Sequence, residues 1–256
     1  TASLISSSHN PGINGADTFL TSPVFNFPTN YAGPAQDTGN GNNGATFGIW
    51  NASDLQTIDF VQRFDMGSIN IRIPLEQTDC TRFYGMMGGR AIIMWERFKW
   101  RTVDLDVNGG ATATDFVNYT NVVSNRLYGG TIGCGYDWFW GSSPIGAFAC
   151  SMEVQGGLFV DFVKERAKYE LGDQSTAASR ARNEYTIAPM FQGDLSLWWY
   201  PTQGIQCRLG WDLLAIFNTV SSPQPVDFDF GSVTPAWESG TLRVLRGFHV
   251  GAGFVF

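Results

Sequence analysis

The sequence contains no run of 18 apolar residues, so none of it can cross a bilayer as a helix. Charge is scarce as well. Asp, Glu, Lys and Arg make up 15% of the chain, against roughly a quarter in an ordinary soluble domain. Part of the surface is therefore expected to do without charge. With a net charge of -7 and no dense basic stretch, nothing is suited to tracking a phosphate backbone, which sets nucleic acid aside as a partner. Histidine is limited to His9 and His249, and the cysteines at 80, 134, 150 and 207 match no zinc spacing. No metal site and no cofactor are expected. A Ser–His–Asp or carboxylate centre would have to draw on those two histidines, so no enzyme is expected either. No signal peptide is visible, and the chain begins at Thr1 instead of a methionine, which leads us to expect an upstream portion.

What is abundant is glycine (30), phenylalanine (20) and tryptophan (9), arranged with a period of two. Such alternation marks strands whose two faces meet different surroundings. In "NEYTIAPMFQGDLSLWW" the odd positions hold Tyr185, Ile187, Phe191, Leu195, Leu197 and Trp199, against Glu184, Thr186, Gln192, Asp194 and Ser196. "RLYGGTIGCGYDWFW" sets Tyr128, Ile132, Cys134, Tyr136, Trp138 and Trp140 against Thr131 and Asp137. "IGAFACSMEVQG" and "GIQCRLGWDLLAIF" repeat the pattern. The closing "RGFHVGAGFVF" aligns Phe248, Val250, Phe254 and Phe256 opposite Gly247, His249, Gly251 and Gly253. Eight strands are expected, with a further one near 45–50. Residues 1–42, rich in Asn, Gly, Ser and Pro, read as an irregular arm, and 43–256 as one β domain.

The fold class that follows is all-β: an antiparallel transmembrane β-barrel of at least 8 strands (8–12), with short periplasmic turns and long extracellular loops. A soluble sandwich also alternates, but these strands are long for one. Their large aromatics also gather beside expected short turns at 96–99, 141–143 and 200–202, as residues of a membrane interface do. Long connections are then expected near 67–81, 108–122, 158–184 and 218–240, with the last strand returning to the short-turn end.

The closing strand, through Phe248, Val250, Phe254 and Phe256, resembles the signal that the barrel-assembly machinery reads in bacterial outer-membrane proteins. A closer resemblance runs over about residues 54–256, through "GMMGGRAIIMWE", "NRLYGGTIGCGYDW", "RARNEYTIAPMFQGDLSLWWYPT" and "IQCRLGWDLLAIFNTV". These segments are similar to those of an outer-membrane barrel family abundant in planctomycetes and related to the pore-forming proteins described from Legionella. Gly89, Arg90 and Glu96 match its glycine–arginine strand, and Asn125, Tyr128, Gly129 and Gly130 its asparagine-to-glycine opening. Trp211 and Asp212 depart from its commoner glycine–tyrosine strand. The resemblance implies a Gram-negative outer membrane, a pore, and further strands upstream.

The candidate sites follow from the faces. Asp59, Arg63, Arg90, Glu153, Asp194, Arg208 and Asp212 are expected to point into the barrel, with Asp194 directly opposite Arg208. Trp95, Trp138, Trp140, Trp198 and Trp199 form the expected aromatic girdle. Cys134 and Cys150 fall opposite each other across the 141–143 turn, where a disulfide or two lone thiols both fit. The expected function is a small, non-enzymatic pore for ions or small solutes. The alternative is a structural or anchoring barrel of a cell-surface assembly with a side-chain-filled interior. The expected partners are outer-membrane lipid, the insertion machinery, and a further copy or another surface protein held by the N-terminal arm and outer loops.

Overall fold

The computed structural model describes residues 2–7, 53, 55–103, 110–112, 116–172, 176–202, 204–223 and 240–254. Among these there is no helix. They form one antiparallel sheet in strict sequence order: β1 (Ala2–Ser7), β2 (Leu55–Gln77), β3 (Thr81–Val103), β4 (Phe116–Ser143), β5 (Gly146–Leu171), β6 (Thr176–Thr202), β7 (Ile205–Thr219) and β8 (Thr241–Phe254). Seven of the strands are long, running from 14 to 28 residues, where five or six is usual. The sheet curls into a half-barrel. Among the described residues no backbone pairing joins β8 back to β1 or β2, so the barrel expectation is met by its all-β, antiparallel, curled form. The six-residue β1 lies within the segment expected to be irregular and pairs with the start of β2. The remainder of that arm, the strand expected near 45–50 and Phe256 lie outside the described residues.

The connections at 78–80, 144–145 and 203–204 lie at one end of the sheet and are short, while the long ones at 104–115 and 220–240 lie at the other. The hairpin after β4 closes through Gly146, whose φ of 115° is available to glycine without strain, and Ser143 Oγ donates to the Gly146 carbonyl at 2.8 Å. β8 ends beside this short-turn end, Phe254 pairing with Ile205. Three expected features are corrected here. The stretch expected as a long connection at 67–81 belongs mostly to β2, whose Gly67–Gln77 part pairs with β3, and the chain turns briefly at 78–80, at the short-turn end. There is no turn at 96–99, because Trp95 and Trp100 sit within the single strand β3. The stretch expected as a long connection at 158–184 is the paired upper part of β5 and β6.

Each face of the sheet has its own logic. Large apolar residues occupy the convex face in a continuous band: Ile69 to Leu75 on β2, Tyr128 to Trp140 on β4, Leu158 to Phe162 on β5, Tyr185 to Trp199 on β6, and Val244 to Phe254 on β8. Ile132 is 73% exposed, Ile187 63% and Phe248 83%. Towards the long-connection end the same convex positions turn charged, through Arg97, Lys99 and Arg101 on β3 and Lys164, Arg166 and Lys168 on β5. Aromatic rings mark both borders. Phe162 contacts Tyr128 and Tyr185 edge-on, at 5.9 and 5.1 Å between centroids, on the charged side. Trp138–Trp140 and Phe148–Trp199 lie on the short-turn side. No second sheet covers this band among the described residues.

The concave face is packed. Ile92, Met94, Leu127, Phe159, Ala188, Met190, Leu214 and Ile216 form a buried cluster, and Phe64 of β2 and Leu245 of β8 both pack against it. Strands at both edges of the sheet therefore meet the same core. Above this belt the chain leaves β7 through Asn218, which adopts the left-handed φ of 59° that asparagine tolerates. Its Nδ2 donates to Thr186 Oγ1 at 2.7 Å and to the Ile187 carbonyl at 2.8 Å. Residues 219–222 then turn inward. Asn125 both donates to the Val220 carbonyl (2.9 Å) and accepts from its N–H (3.0 Å), and Asn121 donates to the Ser222 carbonyl (3.0 Å). Glu96, fully buried, accepts from Ser222 N–H at 2.9 Å, from Gln62 at 2.8 Å and from the Arg243 guanidinium, which bridges β8 to β3 across the concave side.

A buried ion pair stripped of one partner leaves an uncompensated charge. Glu96→Ala should therefore lower unfolding free energy by about 3–5 kcal/mol, whereas Glu170→Ala, which breaks the exposed Lys168 pair, should cost under about 1 kcal/mol. Urea unfolding followed by tryptophan fluorescence checks both.

Candidate functional site

Besides the Glu96 network above the apolar belt, a second group of polar residues on the concave face gathers below it, towards the short turns. Sheet register places them in rows. Asp194 of β6 lies directly opposite Asp212 of β7, Ser196 opposite Gly210, and Gly210 in turn opposite His249 of β8. In the next row Trp198 faces Arg208. The expected Asp194–Arg208 ion pair forms, with Nη2–Oδ1 at 2.8 Å, but along a diagonal. The two residues are not cross-strand partners, because the hairpin closes between Thr202 and Ile205, beyond the expected turn.

Gly210 makes the row possible. A Cβ there would fall inside van der Waals contact of the His249 ring and of Ser196 Oγ, so only glycine leaves the imidazole room to lie across β7. His249 Nδ1 sits 2.8 Å from Asp212 Oδ2, and Nε2 sits 3.4 Å from Ser196 Oγ and 3.8 Å from Asp194 Oδ2. The chain Asp212–His249–Ser196 has the connectivity of a hydrolytic triad. The rest of the geometry does not suit attack by Ser196. Its hydroxyl is 1% exposed, donates to Asp194 Oδ1 at 2.7 Å and accepts from Arg208 Nε at 2.9 Å. Its proton is thus committed to Asp194, not to the imidazole.

Beside this cluster lies a cavity of about 230 Å³ bordered by Arg72, Arg82, Tyr84, Glu153, Trp198 and Arg208. Glu153 accepts from Arg72 at 2.6 Å and from Tyr84 at 2.7 Å. Arg82 holds Asp137 through Nε and Nη2 at 2.9 and 2.5 Å. Arg208 lies over the Trp198 ring, 5.1 Å from its centroid. Arg90, at the lower edge of the apolar belt, is buried and donates to Gln192 (2.6 Å) and Gln155 (3.2 Å), tying β3 to β6 and β5 across the concave side.

Five of the seven polar residues expected inside, Arg90, Glu153, Asp194, Arg208 and Asp212, therefore lie on the concave face. Asp59 and Arg63 do not. They pair with Lys99 and Trp95 on the convex face, where the Arg63 guanidinium stands 5.1 Å from the Trp95 ring centroid. On this part of β2 the apolar row, including Phe64, turns inward. Trp95, Trp138, Trp140 and Trp199 are convex, as expected of a girdle. Trp198 is concave, its Nε1 donating to Ser151 Oγ at 2.9 Å. Phe248, Val250 and Phe254 point outward and are exposed. Cys134 and Cys150 are free and are not partners: Cys134 opposes Val154, and Cys150 opposes Trp138. The convergence of Ser196, Asp212 and His249 was missed, although "FHVG" had placed His249 inward. The missing signal was the register that sets Gly210 between it and Ser196.

Comparison with protein-family models, with curated proteins and with solved structures gives no match for this chain.

Filling a tight site forces neighbours off their rotamers, at about 1–3 kcal/mol. Gly210→Ala should cost that much, while Gly247→Ala, where a new Cβ meets nothing within 4 Å, should stay within about 0.5 kcal/mol of the parent. Parallel urea titrations of the two variants provide the check.

Proposed function

We propose that this chain is the lipid-embedded sheet of an outer-membrane β-barrel, and that it works as a membrane anchor with a filled interior and not as a wide pore. The observation that carries the membrane reading is the convex band. Exposed apolar patches of this extent are not left in water, and the band has the anatomy of a bilayer-facing surface. Apolar stretches of the order of the ~10-residue segment that crosses in a membrane barrel are bordered on both sides by aromatic rings and then give way to charge. The sequence resemblance to planctomycete outer-membrane barrels supports the same reading, as does a last strand ending at the short-turn side.

The concave face favours the anchor. The apolar cluster takes side chains from β2 through β8, and residues 219–222 are pinned above it, leaving side chains where a solute path would run. Small barrels are commonly filled in this way. A narrow pore is the second reading. Its support is the arginine-bordered cavity below the belt, a charged vestibule of the kind that selects ions. On the anchor reading the chain holds its long connections at the cell surface, where a further copy or another surface protein would bind them.

Folding the full chain into phospholipid vesicles tests the membrane reading. Ile132→Arg, at mid-band, should cost about 2–4 kcal/mol, and Thr120→Arg, outward but beyond the band, about 0–1 kcal/mol. Equal costs, or a chain that folds in buffer without lipid or detergent, would refute it. Planar bilayers separate the two roles: the anchor predicts no steady conductance, the narrow pore a small one that changes with Arg82→Ala.

A further inference from the structure

We propose that Asp194, Asp212 and His249 form a binding site for one divalent transition-metal ion, with zinc the best chemical fit. The inference does not depend on the membrane reading, because all three residues lie on the concave side. One donor atom from each lies within 4.8 Å of the others. An imidazole nitrogen with two carboxylate oxygens, and a fourth position left for water, is a donor set that zinc takes. Calcium and magnesium prefer all-oxygen shells, so the imidazole nitrogen among the donors favours zinc over either.

Charge argues the same way. Asp194 and Asp212 are direct cross-strand partners, and like charges in that relation repel. Arg208 compensates one of them. A dication held between the two carboxylates would compensate both. Shape adds a second argument: Gly210 opens the floor on which the His249 ring lies, with one nitrogen 2.8 Å from Asp212 and the other 3.8 Å from Asp194. The ring thus stands between the two carboxylates, a short side-chain adjustment from binding with either. The site can also be reached, since the side chains of His249 and Asp212 are 28% and 41% exposed.

Arg208 is the competitor. Its Nη2 holds Asp194 Oδ1, while Asp194 Oδ2 faces His249, so the ion would take Oδ2 with the positive guanidinium close by. Its side chain is 32% exposed, lies over Trp198 and borders the 230 Å³ cavity. Two cations sharing one carboxylate repel, so the Arg208 guanidinium weakens metal binding at Asp194.

The test is titration of the folded full chain, its thiols blocked with iodoacetamide, with zinc chloride by isothermal calorimetry. We expect one zinc per chain and no comparable uptake of magnesium. His249→Ala should weaken binding at least about 10- to 100-fold, the loss typical even for residues that only support a metal ligand. Arg208→Met should tighten binding, a gain that neither misfolding nor a purely structural cluster can produce; circular dichroism confirms that both variants are folded. The proposal is overturned if neither the parent nor Arg208→Met takes up zinc saturably. It is equally overturned if His249→Ala binds as the parent does.

Discussion

A curled sheet cannot hide its convex face from whatever surrounds it, and here that face carries isoleucine, leucine, phenylalanine and tryptophan in rows interrupted by glycine and, on β8, by Arg246. Hydrophobic burial is the largest favourable contribution to folding, yet these side chains gain nothing from the sheet's own core. Something outside the described strands must cover them. A second sheet or a layer of helices would do so in a soluble protein, but neither is present among the described residues. Under the proposed function a bilayer does, and the borders of the band then follow from one rule: aromatic at the interface and charged beyond it.

The concave side obeys a different constraint. Polar groups turned away from water favour pairing, and several here are paired across the fold and not only along it, although both oxygens of the buried Glu165 carboxylate lack a hydrogen-bond partner. Arg243 reaches Glu96 from β8 to β3, Arg90 reaches Gln192 from β3 to β6, and Arg72 reaches Glu153 from β2 to β5. These spans tie together strands that are not neighbours in the sheet. They also separate two compartments. Above the apolar belt, residues 219–222 are pinned against β3 and β4, and below it a charged cavity opens towards the short turns. The lower compartment, where glycine makes room for His249, keeps side chains exposed enough to meet a small ligand.

The sequence reading went furthest from β4 to β8, where period-two alternation set the faces of Tyr128 to Trp140, Tyr185 to Trp199 and Phe248 to Phe254. Its main errors share one physical cause. The strands continue beyond the apolar band, and there the convex positions become charged while the concave ones stay buried. Judged by polarity, Asp59 and Arg63 were therefore turned inward, 96–99 suggested a turn, and 158–184 a long connection. Each belongs to a regular strand past the boundary. Register was the second weakness. The hairpins after β4 and β6 close a few residues later than the turn residues suggested, which moved Cys150 away from Cys134 and set Asp212, not Arg208, opposite Asp194. Trp198 marks the limit of composition as a guide, since a tryptophan beside a turn can equally well pack inside against Ser151 and Arg208.

The central claim is that lipid covers the convex face, and depth-dependent quenching tests it most directly. Single cysteines at Ile132, Leu158 and Ile187, and at the concave Thr131 and Gln155, would carry a bimane label in a cysteine-free chain folded into vesicles. Brominated acyl chains should quench the three convex labels strongly and leave the two concave labels bright. Convex labels that brominated lipid cannot reach, whether they sit in water or beneath other protein, would contradict the account.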